Sequence, residues 1–422
     1  MISHSTAPHD RVAGTVTHTT CCIVGCGPAG AVLALLLARQ GISVVLLEAH
    51  TTFDRPFRGN TINPSAMHTF DELGLLDDLL QLRHTKLRRF VMQTATGTLT
   101  FANFAHLRTR YPYIMMLPQH TFLAFITALL RQYPHAQIVL GASVHGLVRE
   151  QGAVCGVRYR ASDGWHEVRA TLTVGADGRF SRVRKLAGLT PIATAPPIDV
   201  LWFNLPRDPE DAENIGALFR FVPRGLLVLM DHYDHWQVGY LIAKGSFPRL
   251  RAAGIDALRR SLVTWLPEFA ARVEHFQDWK QCSLLSVESN RLRRWHQPGL
   301  LLIGDAAHVT SPIGGVGINL AIQDAVVAAN VVSRPLKHGT LCEHDLRKVQ
   351  RRRCWQICII QSVQSFAQWQ VMRAFADKRP FVLPAPIRLM LRVPLLRSLP
   401  AWLIAFGVWP VHVSGMKHEA GA

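Results

Sequence analysis

Gly25-Cys26-Gly27-Pro28-Ala29-Gly30 is the stretch on which the reading of the fold turns. It fits G-x-G-x-x-G, and its surroundings are those the spacing requires. Thr20 to Val24 reads as a short strand, Ala31 to Arg39 as a helix, and Ser43 to Leu47 as a second apolar strand closed by Glu48. Gly25 permits a tight turn, Gly27 lets backbone approach a pyrophosphate, and Gly30 lets helix and strand pack closely. The helix that starts at Pro28 then turns its first amides, from Ala29 on, toward the phosphates. Glu48, at the end of the second strand, is placed to accept from an adenosine ribose. That favours FAD or NAD here and disfavours a 2′-phosphate.

Two later segments carry related signals. Leu172 to Val174 is a short strand leading into Gly175-Ala176-Asp177-Gly178-Arg179-Phe180-Ser181-Arg182-Val183-Arg184. A carboxylate at a strand end, then glycine, then basic residues opening a helix suit a diphosphate and a ribose. Leu300 to Ile303 reads as a buried strand ended by Gly304, in Gly304-Asp305-Ala306-Ala307-His308. The chain runs on through Pro312 and Gly314-Gly315-Val316-Gly317-Ile318-Asn319 into a helix over Leu320 to Val332. A carboxylate and bare glycine backbone at a helix start form a place for a polar, anionic cofactor.

The bulk numbers fit this picture. The chain has 422 residues, 49% of them hydrophobic, enough for two domains with real cores. Met1 to Thr20 lacks the apolar centre of a signal peptide, so no secretion signal is expected. Cys21 to Ala38 is apolar enough to suggest a membrane helix, but its glycines and proline sit at nucleotide-binding spacing. Eight cysteines show neither zinc spacing nor C-x-x-C, which implies free thiols in a reducing cytoplasm and no metal site. The net charge of +17 would draw nucleic acid, anionic membranes or anionic small molecules. The basic residues read as scattered and no nucleic-acid-binding motif is visible, so no nucleic-acid partner is expected.

Taken together, the three segments resemble the fingerprints of single-component FAD-dependent monooxygenases, the para-hydroxybenzoate hydroxylase-like (group A) flavoproteins. The resemblance spans roughly Thr20 to Arg334. It implies an α/β fold: a Rossmann-like FAD-binding domain, an α+β substrate domain built on a β-sheet, and a C-terminal helical region. The order of motifs makes the FAD-binding domain discontinuous, over 18–89, 116–195 and 286–340. A substrate-domain hairpin occupies 90–115, the substrate-binding sheet 196–285 and the helical region 341–422.

The same resemblance assigns roles. Asp305 would hydrogen-bond the FAD ribityl chain, and the backbone of Gly317, Ile318 and Asn319 would meet the pyrimidine end of the isoalloxazine. A helix N-terminus there stabilises the negative charge of reduced flavin. Pro312 and Gly315 would lie near the ring. Asp177 would bridge FAD and the region where NADH or NADPH docks, and Arg58 would lie near the pyrophosphate. Gln119 would touch the cofactor and the backbone at Val144 the adenine. Arg58 also reads as a solvated loop arginine, Gln119 as a helix cap, and His308 as a hydrogen-bonded motif histidine rather than an acid-base catalyst.

Val200 to Leu205, Ala217 to Met230 and Trp236 to Ala243 read as strands of an antiparallel sheet with one covered face. A further hairpin is expected from Phe90 to Thr94 and Thr98 to Phe101 around Thr96-Gly97. Such a sheet roofs the flavin in the family, which makes Trp202, Phe219, Phe221, Met230, Trp236 and Tyr240 candidate walls of a small-molecule substrate pocket. His344 to Asp377 reads as one long helix with Ile359, Val363 and Phe366 on a stripe. Pro380 to Trp409 mixes prolines, arginines and apolar residues. It reads either as a helical lid or as a segment lying peripherally in a membrane interface, with prolines too frequent for a spanning helix.

The resemblance implies a monooxygenase, a hydroxylase or epoxidase, using NADH or NADPH and O₂ through a flavin C4a-hydroperoxide on an aromatic or lipophilic substrate. The residues leave three other flavin roles open: a reductase of prenyl or polyene substrates, a halogenase, or a non-catalytic redox sensor. The halogenase signature W-x-W-x-I-P is absent, and no second G-x-G-x-x-G is present.

Overall fold

The structure is a computed structural model and describes residues 14–53, 60–94, 97–193, 198–208, 210–211, 216–376, 383, 385–393 and 396–414. Strand Val16–Val24 forms the centre of the first sheet, with Cys21, Cys22 and Ile23 wholly buried. It pairs in parallel with Val44–Glu48 on one side and Gly164–Gly175 on the other. Ala136–Leu140 and Leu300–Leu302 extend the parallel register outward on the two sides. The three motif strands are therefore neighbours, and the loops after Val24, Gly175 and Leu302 leave the same edge of the sheet.

Strand Gly164–Gly175 is longer than its apolar end suggests. It turns into an antiparallel meander with Ala153–Ala161 and Ser143–Glu150. Its first half is polar, with Glu167 accepting from Arg158 across the strand pair (2.9 Å) and from Arg169 two residues on in its own strand (2.7 Å), so no apolar run marks it. Helix Pro28–Ala38 is buried on every side from Ala29 onward. It lies against the parallel sheet and between helices Gln119–Leu130 and Gly317–His338. An apolar helix with no polar face belongs in a core, and this sandwich accounts for the membrane-like composition of Cys21 to Ala38.

The second sheet has seven strands in the order Ser283–Ser286, Ile198–Pro206, His235–Ala243, Gly225–Asp231, Ala217–Val222, Arg89–Thr94 and Gly97–Asn103. All its pairs are antiparallel except Ala217–Val222 with Arg89–Thr94. The expected hairpin thus forms and joins this sheet; Thr96 at its tip lies outside the described residues. Successive side chains of a strand face opposite ways, and here that divides the six candidate wall residues. Trp202, Phe219, Phe221 and Met230 share one face with Val200, Val228 and Leu241. Trp236 and Tyr240 stand opposite Leu205 and Leu201 and point the other way, into a core closed by helix Ile255–Trp265 and Val273. These two candidates therefore lie on the helix-covered face, apart from the other four.

Helix Gly317–His338 ends at Gly339, whose φ of 65° is left-handed. After a short turn the chain forms the 34-residue helix Glu343–Ala376. Its buried side is mixed, with polar side chains set among Leu346, Val349, Ile357, Ile360 and Val371. The buried side carries Arg353, Gln356, Gln361, Gln364 and Gln368, while Ile359, Val363 and Phe366 are exposed. The stripe read from the sequence exists but faces outward. Helices Ala385–Arg392 and Leu399–Phe406 follow, and Ala401 and Ala405 of the latter are buried in one apolar cluster with Phe90 and Phe104. No helix among the described residues is long and apolar enough to cross a membrane.

Candidate functional site

The site grows from the loop after the first strand. Gly25 has a φ of 100°, and a Cβ there would sit 2.5 Å from the Ala176 carbonyl oxygen. A Cβ on Gly30 would lie 2.0 Å from the Gly25 oxygen and 3.3 Å from the Ala176 Cβ. Gly25 is thus demanded by contact with the second motif, and Gly30 chiefly by the carbonyl of Gly25 within its own turn. Gly27 differs: a Cβ there would meet nothing within 4 Å, so its backbone borders open space. An open glycine between two crowded ones is the form a pyrophosphate cradle takes.

Glu48 is buried at the end of its strand. Its Oε2 accepts from the Cys26 amide at 2.9 Å and its Oε1 from the His50 amide at 3.1 Å. A carboxylate accepts through both oxygens, which suits this corner to ribose hydroxyls. The Glu48 carbonyl accepts from the Ala142 amide at 2.8 Å, which brings Val144 to the same corner with its side chain packed inward. Gln119 opens its helix half-buried; the cap position belongs to Pro118, and no side chain caps that helix. Arg58 lies outside the described residues.

In the second motif, Asp177 is engaged locally. Its Oδ1 accepts from Ser181 Oγ (2.5 Å) and its Oδ2 from the amides of Arg182 (2.6 Å) and Val183 (3.0 Å). Burial raises its pKa above the ordinary carboxylate value, with those bonds pulling the other way. Arg184, read from the sequence among residues suited to a diphosphate, is instead a strut. It is buried and donates to the carbonyls of Ala306 (3.0 Å), Asp305 (3.3 Å) and Arg179 (2.7 Å), tying the second motif to the third.

The third motif closes the site. Gly304, with a φ of 59°, places its Cα where a Cβ would be 3.1 Å from that of Ala29, so this turn abuts the first motif's helix. Asp305 follows half-buried in the short 3-10 turn Gly304–Ala306. Gly315 has a φ of 62°, and a Cβ there would lie 2.7 Å from Thr61 Oγ1. No side chain caps helix Gly317–His338, so its first amides are left for an anion. Asn319 pins that helix start: its Oδ1 accepts from the Asn63 amide at 2.7 Å, and its Nδ2 donates to the carbonyls of Thr61 and Gly315, both at 3.2 Å. Asn319 therefore contributes its side chain to holding the loop, beyond the backbone role expected of it.

Behind the loop lies a buried charged cluster. Asp324 Oδ2 accepts from His308 Nε2 (2.6 Å) and the Gly304 amide (2.9 Å), and its Oδ1 from Arg353 Nε (2.7 Å). The surrounding charges hold the Asp324 carboxyl down at about 2 although burial opposes this. His308 is spoken for by Asp324 and packs on Trp295, which agrees with its reading as a motif histidine. Arg353 also donates to Gln323 and Gln356. Further along the same helix, Gln361 Nε2 donates to the carbonyls of Asn290 (3.0 Å) and Val309 (2.9 Å). Gln364 Nε2 donates to those of Ser311 (3.0 Å) and Ile313 (2.8 Å). These glutamines hold the backbone on both sides of Pro312. Sequence reasoning missed them, although Asp324 inside an Ala/Val helix and glutamines at helical spacing were visible signals.

The residues present fit FAD: an open glycine at the cradle, an acidic residue at the second strand end, and an uncapped helix start beside left-handed glycines. Comparison with known proteins agrees. The family described as FAD binding domain matches residues 18–353. The 6-methylpretetramide 4-monooxygenase of Streptomyces rimosus is 33% identical over 422 residues, covering 98% of each chain. The para-nitrophenol 4-monooxygenase of Pseudomonas sp. (strain WBC-3) is 28% identical over 78% of this chain and 82% of its own. Among solved structures, PqsL, a probable FAD-dependent monooxygenase from Pseudomonas aeruginosa, superposes with a TM-score of 0.73. It is 22% identical, covering 85% of this chain and 99% of that one, a likeness of fold. The fold and site define a flavoprotein oxidoreductase of mixed helix and sheet. The chain belongs to the FAD-dependent monooxygenases of the para-hydroxybenzoate hydroxylase-like family.

Proposed function

We propose that this monooxygenase uses NADH or NADPH and O₂ to hydroxylate an aromatic, largely apolar substrate held between the loop at Pro312 to Gly315 and the inner face of the antiparallel sheet. One observation carries this reading. On that face Trp202, Phe219, Phe221 and Met230 remain half-buried while Val200, Val228 and Leu241 are covered, so an apolar surface is left for a guest. The relative aligned end to end with this chain is named for 6-methylpretetramide, which makes that compound the first candidate to assay.

FAD supplies the redox chemistry when bound, accepting hydride from the nicotinamide and activating oxygen. The chain's own residues bind and orient. Gly25 to Gly30 and Glu48 would hold the pyrophosphate and ribose, with Arg58, Gln119 and the backbone near Val144 completing the adenosine half. Asp305 would hold the ribityl chain and Asp177 would border the nicotinamide approach. The amides of Gly317, Ile318 and Asn319 would face the pyrimidine end of the ring and stabilise negative charge there. The apolar sheet face would keep water from the reacting centre.

The test is turnover of purified protein with FAD, NADH or NADPH and ¹⁸O₂. Slow nicotinamide oxidation in buffer, accelerated by 6-methylpretetramide or another fused aromatic and giving a product with one ¹⁸O, is the expected result. Reduced flavin that stays inert to oxygen in the presence of every candidate would overturn it.

A further inference from the structure

The positive charge of this chain is less evenly spread than its sequence first suggests. Residues 346–414 hold eleven Lys and Arg against one Asp, so over half of the net +17 lies in one-sixth of the chain. The long helix Glu343–Ala376 runs through this segment with an apolar stripe on its outside. Trp355, Ile359, Val363, Phe366 and Trp369, spaced four, four, three and three residues apart, are between 41% and 55% exposed. That spacing keeps them on one helix face over about 21 Å.

We propose that this outer face docks in the plane of an anionic lipid bilayer. The helix cannot roll to hide the stripe, because its other side is bound to the flavin site through Arg353, Gln361 and Gln364. Arginines fringe the stripe at both ends. Arg351 and Arg352 precede it, and Arg373 follows, its guanidinium 5.5 Å over the Trp369 ring. All three are exposed and form no ion pair among the described residues. Nearby, Gly407 lies where a Cβ would be 3.8 Å from Ile360 Cδ1, which brings Trp409, 65% exposed, to the flank of the same helix.

Charge complementarity selects the occupant. Two copies meeting through this face would oppose arginine-rich surfaces of one sign, whereas an anionic headgroup layer satisfies the arginines and takes tryptophan and phenylalanine at its apolar boundary. No described helix can cross a membrane, so the helix lies along the surface. Val371, Met372 and Phe375 of this helix pack on the inner face of the antiparallel sheet. The bilayer would then lie about one helix diameter, ~10 Å, from the apolar sheet face.

Vesicle flotation of the FAD-loaded full chain tests this without reference to turnover, so its outcome is independent of the hydroxylation reading. The chain should float with phosphatidylcholine–phosphatidylglycerol vesicles and partition about tenfold less onto phosphatidylcholine alone. A triple variant, Ile359→Ser with Phe366→Ser and Trp369→Ser, should lose flotation while keeping its bound FAD, which reports that it is folded. Exchanging Arg351, Arg352 and Arg373 for Gln should also abolish the preference for the anionic vesicles. Equal partitioning onto both vesicle types, or flotation of the triple variant at the wild-type level, would overturn the proposal. So would a wild-type chain that stays with neither vesicle and dimerises through this face, with the triple variant monomeric.

Discussion

At Gly27 an added methyl group would meet no heavy atom within 4 Å, whereas at Gly30 it would sit 2.0 Å from the Gly25 carbonyl oxygen. The two substitutions should therefore fail in different ways. Gly27→Ala should fold with stability within about 0.5 kcal/mol of wild type and bind FAD at least about tenfold more weakly, because the methyl occupies the cradle. Gly30→Ala should yield no folded protein at all. Thermal melts of the apoprotein and fluorescence titration with FAD separate these outcomes. The buried cluster behind the loop makes a pH prediction. Asp324 titrates in the folded chain at about 2, below its ordinary 3.8, so its charged partners contribute stability that is complete above the ordinary value and is lost as the pH falls through 2. That contribution is about 2 kcal/mol at neutral pH. Arg353→Met, which strands a buried carboxylate, should cost about 3–5 kcal/mol. In urea melts the gap between variant and wild type should be widest near neutral pH and narrow as the pH falls, because the stranded carboxylate of the variant takes up its proton at a higher pH than that of the wild type.

Among elements, helix Glu343–Ala376 deserves its own experiment, because one side chain on it, Gln364, donates to two carbonyls of the loop next to the proposed ring position. Gln364→Leu leaves both acceptors without that donor, a loss of about 1–3 kcal/mol of loop order. The expected result is retained FAD with more peroxide released per nicotinamide oxidised, measured by coupled peroxide assay; unchanged coupling would free the loop from this glutamine. The two faces of the antiparallel sheet give a second contrast. Trp202→Ala should raise KM for the aromatic substrate with little change in melting temperature. Trp236→Ala, on the helix-covered face, should cost about 3–5 kcal/mol and leave KM alone. These elements also mark what the sequence discloses. The strand–glycine–helix units were legible because each is continuous along the chain: Val44–Glu48 and Leu300–Leu302 lie within a residue or two of where periodicity puts them. The sides of strands were not. Nothing local says that Trp236 faces helices and Trp202 does not, since both stand in apolar strands and only the partner layer differs. The buried polar residues of the long helix were hidden for a related reason. Its glutamines are buried only because main-chain carbonyls from residues 290 to 313 come to meet them.

At the scale of the whole molecule, one residue shows how the site is put together. Arg184 reaches carbonyls more than a hundred positions ahead of it, and Asp324 is balanced by a guanidinium on the following helix. The first motif is complete by residue 48, yet its glycine turn is shaped by Ala176, and Gly304 abuts it at Ala29. Contacts this distant form late, since the intervening chain must be ordered before they reward it. On the ribosome the sequence is delivered in order, so the glycine turn waits through most of synthesis before its partners arrive. The central strand can pair with Val44–Glu48 early, but its other edge stays open until Gly164–Gly175 emerges, and that strand in turn awaits Leu300–Leu302. A nascent chain shorter than about Arg353 lacks the cation that closes the charged cluster. Messages cut before that codon should give colourless, aggregation-prone fragments rather than weak flavoproteins, because the yellow cofactor is admitted only by a nearly finished chain.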